Sequence, residues 1–328
     1  MKKVFLFLVA SMMLTAPVMA LAAPAGLNYL NGDANIVVHF DSKRLQQSQT
    51  FKDLMSMAMA NPKAKSNLDD MKSKTGVDVL KDIDSVTAQI KAPKAPGSKA
   101  QVLGYVQGRF NAQSVVGAMK ANKNEVKEVK ASWGVMYQNP ADASFSFAFI
   151  SGGMLFGSTE LVQNYKTGTF GGPLAKLAAS FKDQAQDLWV VVDMNEEMRK
   201  DLGKKNPMMA QFVKVIGSLD FKPGLHLNIR ATGESAAGPA QIAQMAQAQL
   251  AASTQSPQAA MFAGMIKKSS VTAQGNDLVL DVPLNQQDVN QIKMMVGMML
   301  MSLQGGARPK GPAPKAVPVP TPAPKVVK

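Results

Sequence analysis

Ile36-Val37-Val38-His39-Phe40-Asp41 is a run of strand-forming residues closed by a polar one. Trp189-Val190-Val191-Val192-Asp193 repeats that pattern, with its aspartate 152 residues after Asp41. Further strands are predicted at Ile83-Asp84-Ser85-Val86, matched by Ile216-Gly217-Ser218-Leu219, and at Val102 to Phe110, matched by Leu225 to Ala231. A Met/Lys-rich helical stretch follows the first strand, and a helix from Met194 to Val215 follows its counterpart. Helices are also predicted over Asn111 to Lys120 and Gly238 to Ala252. Each series then ends in a hairpin and a helix. Phe145 to Ile150 meets Met154 to Gly157 across Ser151-Gly152-Gly153, and Ser269 to Ala273 meets Asp277 to Pro283 across Gln274-Gly275-Asn276. Thr159 and Asn285 are placed to cap the closing helices.

The repeated order predicts an α+β protein of two similar halves, each a mainly antiparallel sheet with helices packed on one face. The expected organisation is a first half over 23–170, a connecting segment at 171–188 and a second half over 189–306. Alternation sets Leu227, Ile229 and Ala231 on one face of their strand and His226, Asn228 and Arg230 on the other. Ala112, Val115, Val116 and Met119 form the stripe of a helix docked on a core. Gly104 and Gly108 are expected to let a helix approach closely. The pentapeptide Ser-Val-Thr-Ala-Gln at 85–89 recurs at 270–274, out of register with the repeat.

The two ends read differently. Lys2 and Lys3 precede an uncharged run from Val4 to Val18, and Ala20-Leu21-Ala22 supplies the small residues for cleavage before Ala23. Residues 1–22 are therefore expected to be a signal peptide, and the protein to be exported to the periplasm or the extracellular space. No transmembrane segment is expected after cleavage. From Ala307 to Lys328 there are seven prolines and five cations, Arg308, Lys310, Lys315, Lys325 and Lys328, with no acid. Such a segment is expected to stay extended as a polyproline-type tail. The 328-residue chain carries +13 in all, which leaves +6 for residues 23–306. That balance, with export, argues against nucleic acid. The loop around Lys91, Lys94 and Lys99 is a second acid-free cationic element. Together with the tail it suits an anionic envelope polymer or membrane surface.

Catalytic chemistry finds little to build on. No cysteine is present, and the two histidines, His39 and His226, both lie opposite the apolar stripe of their strands, where a surface role is expected. No zinc-ligand spacing, Gly-x-Ser-x-Gly elbow or phosphate-binding loop occurs. Lys74-Thr75-Gly76 and Lys166-Thr167-Gly168 match one tripeptide of the serine β-lactamases, but the Ser-x-x-Lys of that family is absent. A lysine and a threonine ahead of a helix-ending or turn glycine is the simpler reading. Asp69-Asp70 and Glu196-Glu197 read as solvated helix faces.

Methionine is abundant, 23 residues, and clusters at Met55, Met57 and Met59, at Met208 and Met209, and at Met294, Met295, Met298, Met299 and Met301. Its simplest role is to fill core gaps; copper binding through thioethers lacks an accompanying histidine. In the last helix Met294/Met298 and Met295/Met299 are i, i+4 pairs and candidate apolar contacts.

The order of elements, with Gly108-Arg109-Phe110-Asn111, Phe156-Gly157-Ser158 and Leu225-His226-Leu227-Asn228, resembles uncharacterised exported bacterial proteins with two similar α+β halves, over roughly residues 30 to 302. The resemblance implies no catalytic residue. The function expected is an exported, non-enzymatic envelope protein that binds or scaffolds a partner, without a cofactor. The alternative is a carrier of a lipid or other apolar ligand in a Met-lined groove.

Overall fold

A computed structural model describes residues 26–32, 34–93, 98–121, 126–140, 142–179, 186–253 and 263–294. The described residues up to Asn290 belong to one compact unit, and Gln291 begins a second. Fourteen strands are seen among the described residues, and twelve of them form one antiparallel sheet. β2 (Ile36–Asp41) and β10 (Leu188–Asp193) lie side by side at its centre, with Val38 opposite Val190. One wing continues outward through β3 (Ile83–Lys91), β4 (Gln101–Gly108), β8 (Gly153–Ser158), β7 (Asp142–Ile150), β6 (Gly134–Asn139) and β5 (Lys127–Ala131). The other runs through β11 (Phe212–Asp220), β12 (Leu225–Gly233), β14 (Asp277–Leu284) and β13 (Ser270–Gln274). β1 (Asn31–Gly32) and β9 (Thr169–Phe170) make a separate parallel pair.

The helices in chain order are α1 (Ser42–Leu45), α2 (Gln49–Met59), α3 (Pro62–Thr75), α4 (Ala112–Ala121), α5 (Thr159–Gln163), α6 (Gly172–Ala179), α7 (Glu196–Lys205), α8 (Ala237–Ser253), α9 (Ala263–Lys268) and α10 (286–294). Local chemistry sets their ends. Ser48 Oγ accepts from the Phe51 N–H at the start of α2, and Asn61 Oδ1 from the Lys63 N–H at the start of α3. Gly76 ends α3 with φ of 70°, a conformation that favours glycine. The Lys-Thr-Gly tripeptides are thus a helix end and a turn: Gly168 has φ of 72° in a turn. Asn285 caps α10 as expected. Its Oδ1 accepts the Asp288 N–H at 3.0 Å, and Asp288 Oδ2 accepts the Asn285 N–H at 2.8 Å.

Several expectations need correction. Thr159 does not cap α5; its hydroxyl donates to Ala143 O, 2.6 Å away. The helix after β10 stops at Lys205, because Asn206-Pro207 starts a 3-10 turn (Pro207–Gln211), and β11 is already under way at Phe212. Gly104 makes room for an aromatic ring rather than a helix, since a Cβ there would lie 2.2 Å from the Phe156 ring. β5 and β6 are additional strands at the edge of the first wing.

The wing from β3 to β7 is covered on both faces, not one. Phe40, Val86, Val106 and Phe156 meet Phe51 and Met55 of α2, Met71 of α3 and Val116 of α4 on one side. On the other, Leu103, Tyr105, Ala148 and Leu155 meet Val162 of α5 and Tyr165. At the centre of that second side, Val37, Trp189 and Val191 pack under Leu30 and under Leu174 and Ala178 of α6. This cover buries His39, which is only 5% exposed, so its expected surface role does not hold. The His39 ring stacks on Trp189 with centroids 5.3 Å apart, and Nδ1 lies 2.8 Å from Thr87 Oγ1. Burial pushes its pKa down to about 3, so it is neutral. His226 does lie at the surface, 2.6 Å from Asp281 Oδ1.

Candidate apolar binding face

Residues directly opposite each other in an antiparallel ladder share a face. Tracing those partners from β14 to β3 gives three rows across six strands. The first is Leu280, Ile229, Gly217, Val190, Val38 and Ala88. The second is Leu278, Ala231, Val215, Val192, Ile36 and Ile90, and the third Val282, Leu227, Leu219, Leu188, Phe40 and Val86. Every position in this field is apolar. At about 4.8 Å between strands and about 6.8 Å between rows, it measures roughly 24 by 14 Å.

The field is unevenly covered. Phe40 and Val86 are buried in the core cluster beneath α2 and α3. Gly217 and Ala231 are also buried, but the other members all keep partial exposure. The fully buried members of the three core clusters lie between Leu30 and Val191. Thus β11, β12 and β14, like Ile36 and Val38 of β2 and Ala88 and Ile90 of β3, present apolar positions that are only partly covered. α8, whose Met245 is 46% exposed, packs against β12, β13 and β14. Met208 and Met209, in the 3-10 turn leading into β11, are half-buried. The reverse face of the same strands carries polar residues beside Ile216 and the buried Val279. Asp281 holds His226 and Asn228, and Asp277 accepts from Thr232 at 2.6 Å and lies 3.6 Å from Arg230.

A cluster of ionisable groups sits at one end of the four central strands. Arg44 of α1 donates from Nε to Asp187 Oδ1 at 2.7 Å and from Nη2 to Asp220 Oδ1 at 3.0 Å. Asp187 is fully buried; its Oδ2 accepts the Phe221 N–H at 2.6 Å, and its carbonyl accepts the Asp41 N–H at 2.9 Å. Asp41 Oδ1 caps α1 through the Arg44 N–H, and Lys43 pairs with Asp84 at 3.0 Å. Burial raises the pKa of Asp41 to about 7 and that of Asp220 to about 6, outweighing the opposing pull of Arg44. Sequence reasoning missed this cluster, because its members come together only through the pairing of β2 with β10. Arg44 and the Phe221 N–H occupy both oxygens of Asp187, which suits a tie between strands rather than an attacking base. Among the described residues no group of three or more His, Asp or Glu is placed to hold a metal ion.

The sequence-predicted contact residues are dispersed. Lys91 ends β3, and Lys99 is exposed just before β4. Met294, in α10, is 63% exposed. Lys94, Met295, Met298, Met299, Arg308, Lys310, Lys315, Lys325 and Lys328 lie outside the described residues, as do the signal segment 1–22 and the tail 307–328. Among the described residues no helix is long and apolar enough to cross a membrane. The 171–188 segment, expected to be a connection, contributes α6 to the cover of the central strands.

The chain matches no protein-family model and no curated protein sequence. Its fold resembles crystal structures of TP0453, a Treponema pallidum protein of little-known function. Crystal form III aligns with 10% identity and a TM-score of 0.44, covering 82% of this chain and 98% of that one. Form IV aligns with 8% identity and a TM-score of 0.45, covering 83% and 96%. A likeness at this level concerns the path of the chain and carries no activity across.

Proposed function

We propose that this is an exported, non-enzymatic binding protein of the cell envelope, and that its ligand is an acyl chain laid on the apolar field of β10, β11, β12 and β14. The carrying observation is the set of three all-apolar rows whose members on these strands remain mostly half-exposed. A closed core would have buried them. At about 4.8 Å between strands these four strands span about 14 Å, which suits a lipid tail, since one leaflet's chains span about 15 Å, half of a bilayer's roughly 30 Å core. The test is a fluorescence titration of the full chain with a dansylated fatty acid, followed by displacement with palmitate. Saturable, displaceable binding in the micromolar range supports the reading; no binding up to the solubility limit of the probe ends it.

The cationic elements fit the same role by bringing the protein to an anionic surface. Lys99 is exposed, and the tail adds five cations without an acid. Such contacts are screened beyond about 8 Å at physiological salt. Retention on envelope material should therefore fall with added salt and with truncation after Gly306. Equal retention of the intact and truncated forms at low salt would remove the tail from this role.

The two halves are also proposed to derive from duplication. Outward from the centre, the strand orders are β2-β3-β4-β8-β7 and β10-β11-β12-β14-β13, alike apart from β5 and β6, which the first wing inserts between β4 and β7 in chain order. In both wings a helix follows the third strand, and the closing hairpin leads into a helix. An experimental structure in which 36–170 could not be laid on 189–294 with these strands in order would refute it.

A further inference from the structure

We propose that the carboxylate cluster around Arg44 is an acid-tightened clamp across the β2–β10 seam, holding the two wings of the sheet together more firmly in mildly acidic medium than at neutral pH. Arg44 leaves the end of β2 and grips Asp187, which enters β10, and Asp220, which ends β11. Asp187 in turn receives the Asp41 and Phe221 amides. One cation thus ties three strand ends together.

The clamp is overloaded with negative charge. Among the described residues, Asp41, Asp84, Asp187 and Asp220 are gathered around the two cations Lys43 and Arg44, a surplus of two negative charges when all are ionised. Asp84 Oδ1 is buried without a hydrogen-bond partner among the described residues. The ladders set Ser85 of β3 opposite Asp41 and His226 of β12 opposite Asp220, and His226 is itself held by Asp281. Lys222, beyond β11, is engaged with Gln47. Adding protons to Asp41 and Asp220 removes the surplus; it turns the Arg44–Asp220 ion pair into a neutral hydrogen bond but leaves intact the Arg44–Asp187 pair, which crosses the seam.

The sign follows from which state holds the proton. A carboxyl whose folded pKa is raised binds a proton in the folded state that the unfolded chain has already released. Its contribution therefore stabilises the fold as pH falls from the folded value toward the ordinary one, from about 7 for Asp41 and about 6 for Asp220 toward 3.8. His39 acts oppositely: the unfolded chain takes a proton near 6.5 that the folded state refuses down to about 3.

The test compares the full-length protein with D41N/D220N, in which the carboxamide introduced at position 41 retains a side-chain oxygen to cap α1. Melting temperatures at pH 7.5 and 5.5 should show the wild type at least as stable in acid and the variant less stable in acid, because His39 then acts without the offset. Hydrogen exchange on the wild type alone reads the seam itself. Corrected for intrinsic rates, the amides of β2, β10 and Phe221 should gain protection several-fold from pH 7.5 to 6. Parallel pH profiles for the two proteins, or seam protection unchanged or lower at pH 6, would overturn the clamp. If the variant does not fold, the wild-type exchange result decides alone.

Discussion

Replacing Ile229 and Leu280 with threonine tests the apolar field where it is least confounded. The two are direct cross-strand partners on β12 and β14, both half-buried, in the middle row. Threonine is itself β-branched and suits a strand, while it places a hydroxyl in the field. A sixteen-carbon chain with half its surface against the field gains about 6 kcal/mol at roughly 0.8 kcal/mol per buried CH2. Two side chains each covering about 40 Å2 of it contribute about 2 kcal/mol at 25 cal/mol per Å2. I229T/L280T should therefore weaken fatty-acid binding about 30-fold. The control is N228A/R230A, one residue to either side of Ile229 and on the opposite face, which should bind within threefold of wild type. Dansyl fatty-acid titration reads both, with circular dichroism to verify folding. A folded I229T/L280T protein that binds as well as wild type would refute the placement of the ligand, and equal losses in both variants would refute the face assignment.

Arg44→Met should destabilise by about 3–5 kcal/mol in urea unfolding at pH 7.5, because it strands the fully buried Asp187 without its cation; a loss under 1 kcal/mol would mean that Asp187 does not need the pair. Gly104→Val should cost at least 1–3 kcal/mol by driving a side chain into the Phe156 ring, read as a lowered melting temperature, and no loss would show that the ring moves freely. His39→Phe should remove the unfavourable contribution that the buried neutral imidazole makes between pH 6.5 and 4, so that the variant gains more stability than the wild type on acidification; thermal melts across that window check it, and equal slopes for the two proteins would refute it. His226→Ala, at the exposed polar face, should change stability by no more than about 0.5 kcal/mol.

The strands that carry the field were legible because β-branched runs such as Val190-Val191-Val192 have few alternatives, and the glycine-containing hairpin turns fix their partners. β5 and β6 were not. Lys127, Glu128 and Lys130 place charges on an edge strand, which guards against edge-to-edge pairing and removes the apolar signal. His39 was misplaced for a related reason. Alternation along one strand assigns it a face, but what lies over that face is decided by Leu30 and α6, distant in sequence. The Arg44 cluster had no local signature at all, since Arg44 and Asp187 are 143 residues apart.

The apolar field sits between these cases. Strand by strand, Leu227 and Ile229 or Val190 and Val192 look like ordinary core positions, and sequence reasoning expects them to be buried under helices. Only the ladder partners reveal that the positions align into rows across both wings. Only the exposure along those rows separates Phe40 and Val86, sealed by α2 and α3, from the positions that keep partial exposure, Leu227, Ile229, Leu280 and Val282 among them. On the proposed duplication, the difference arises in the elements after the first strand of each half. After the short α1, two helices follow β2: α2 brings Phe51 and Met55 to the sheet, and the charged α3 brings Met71. The strongly charged α7 and a single 3-10 turn follow β10. On the proposed function, the sheet surface that is core at Phe40 and Val86 is a ligand face toward β12 and β14, and helices grafted after β10 in the image of α2 and α3 should raise stability while abolishing fatty-acid binding. Binding that survived such a graft would place the ligand somewhere other than this face.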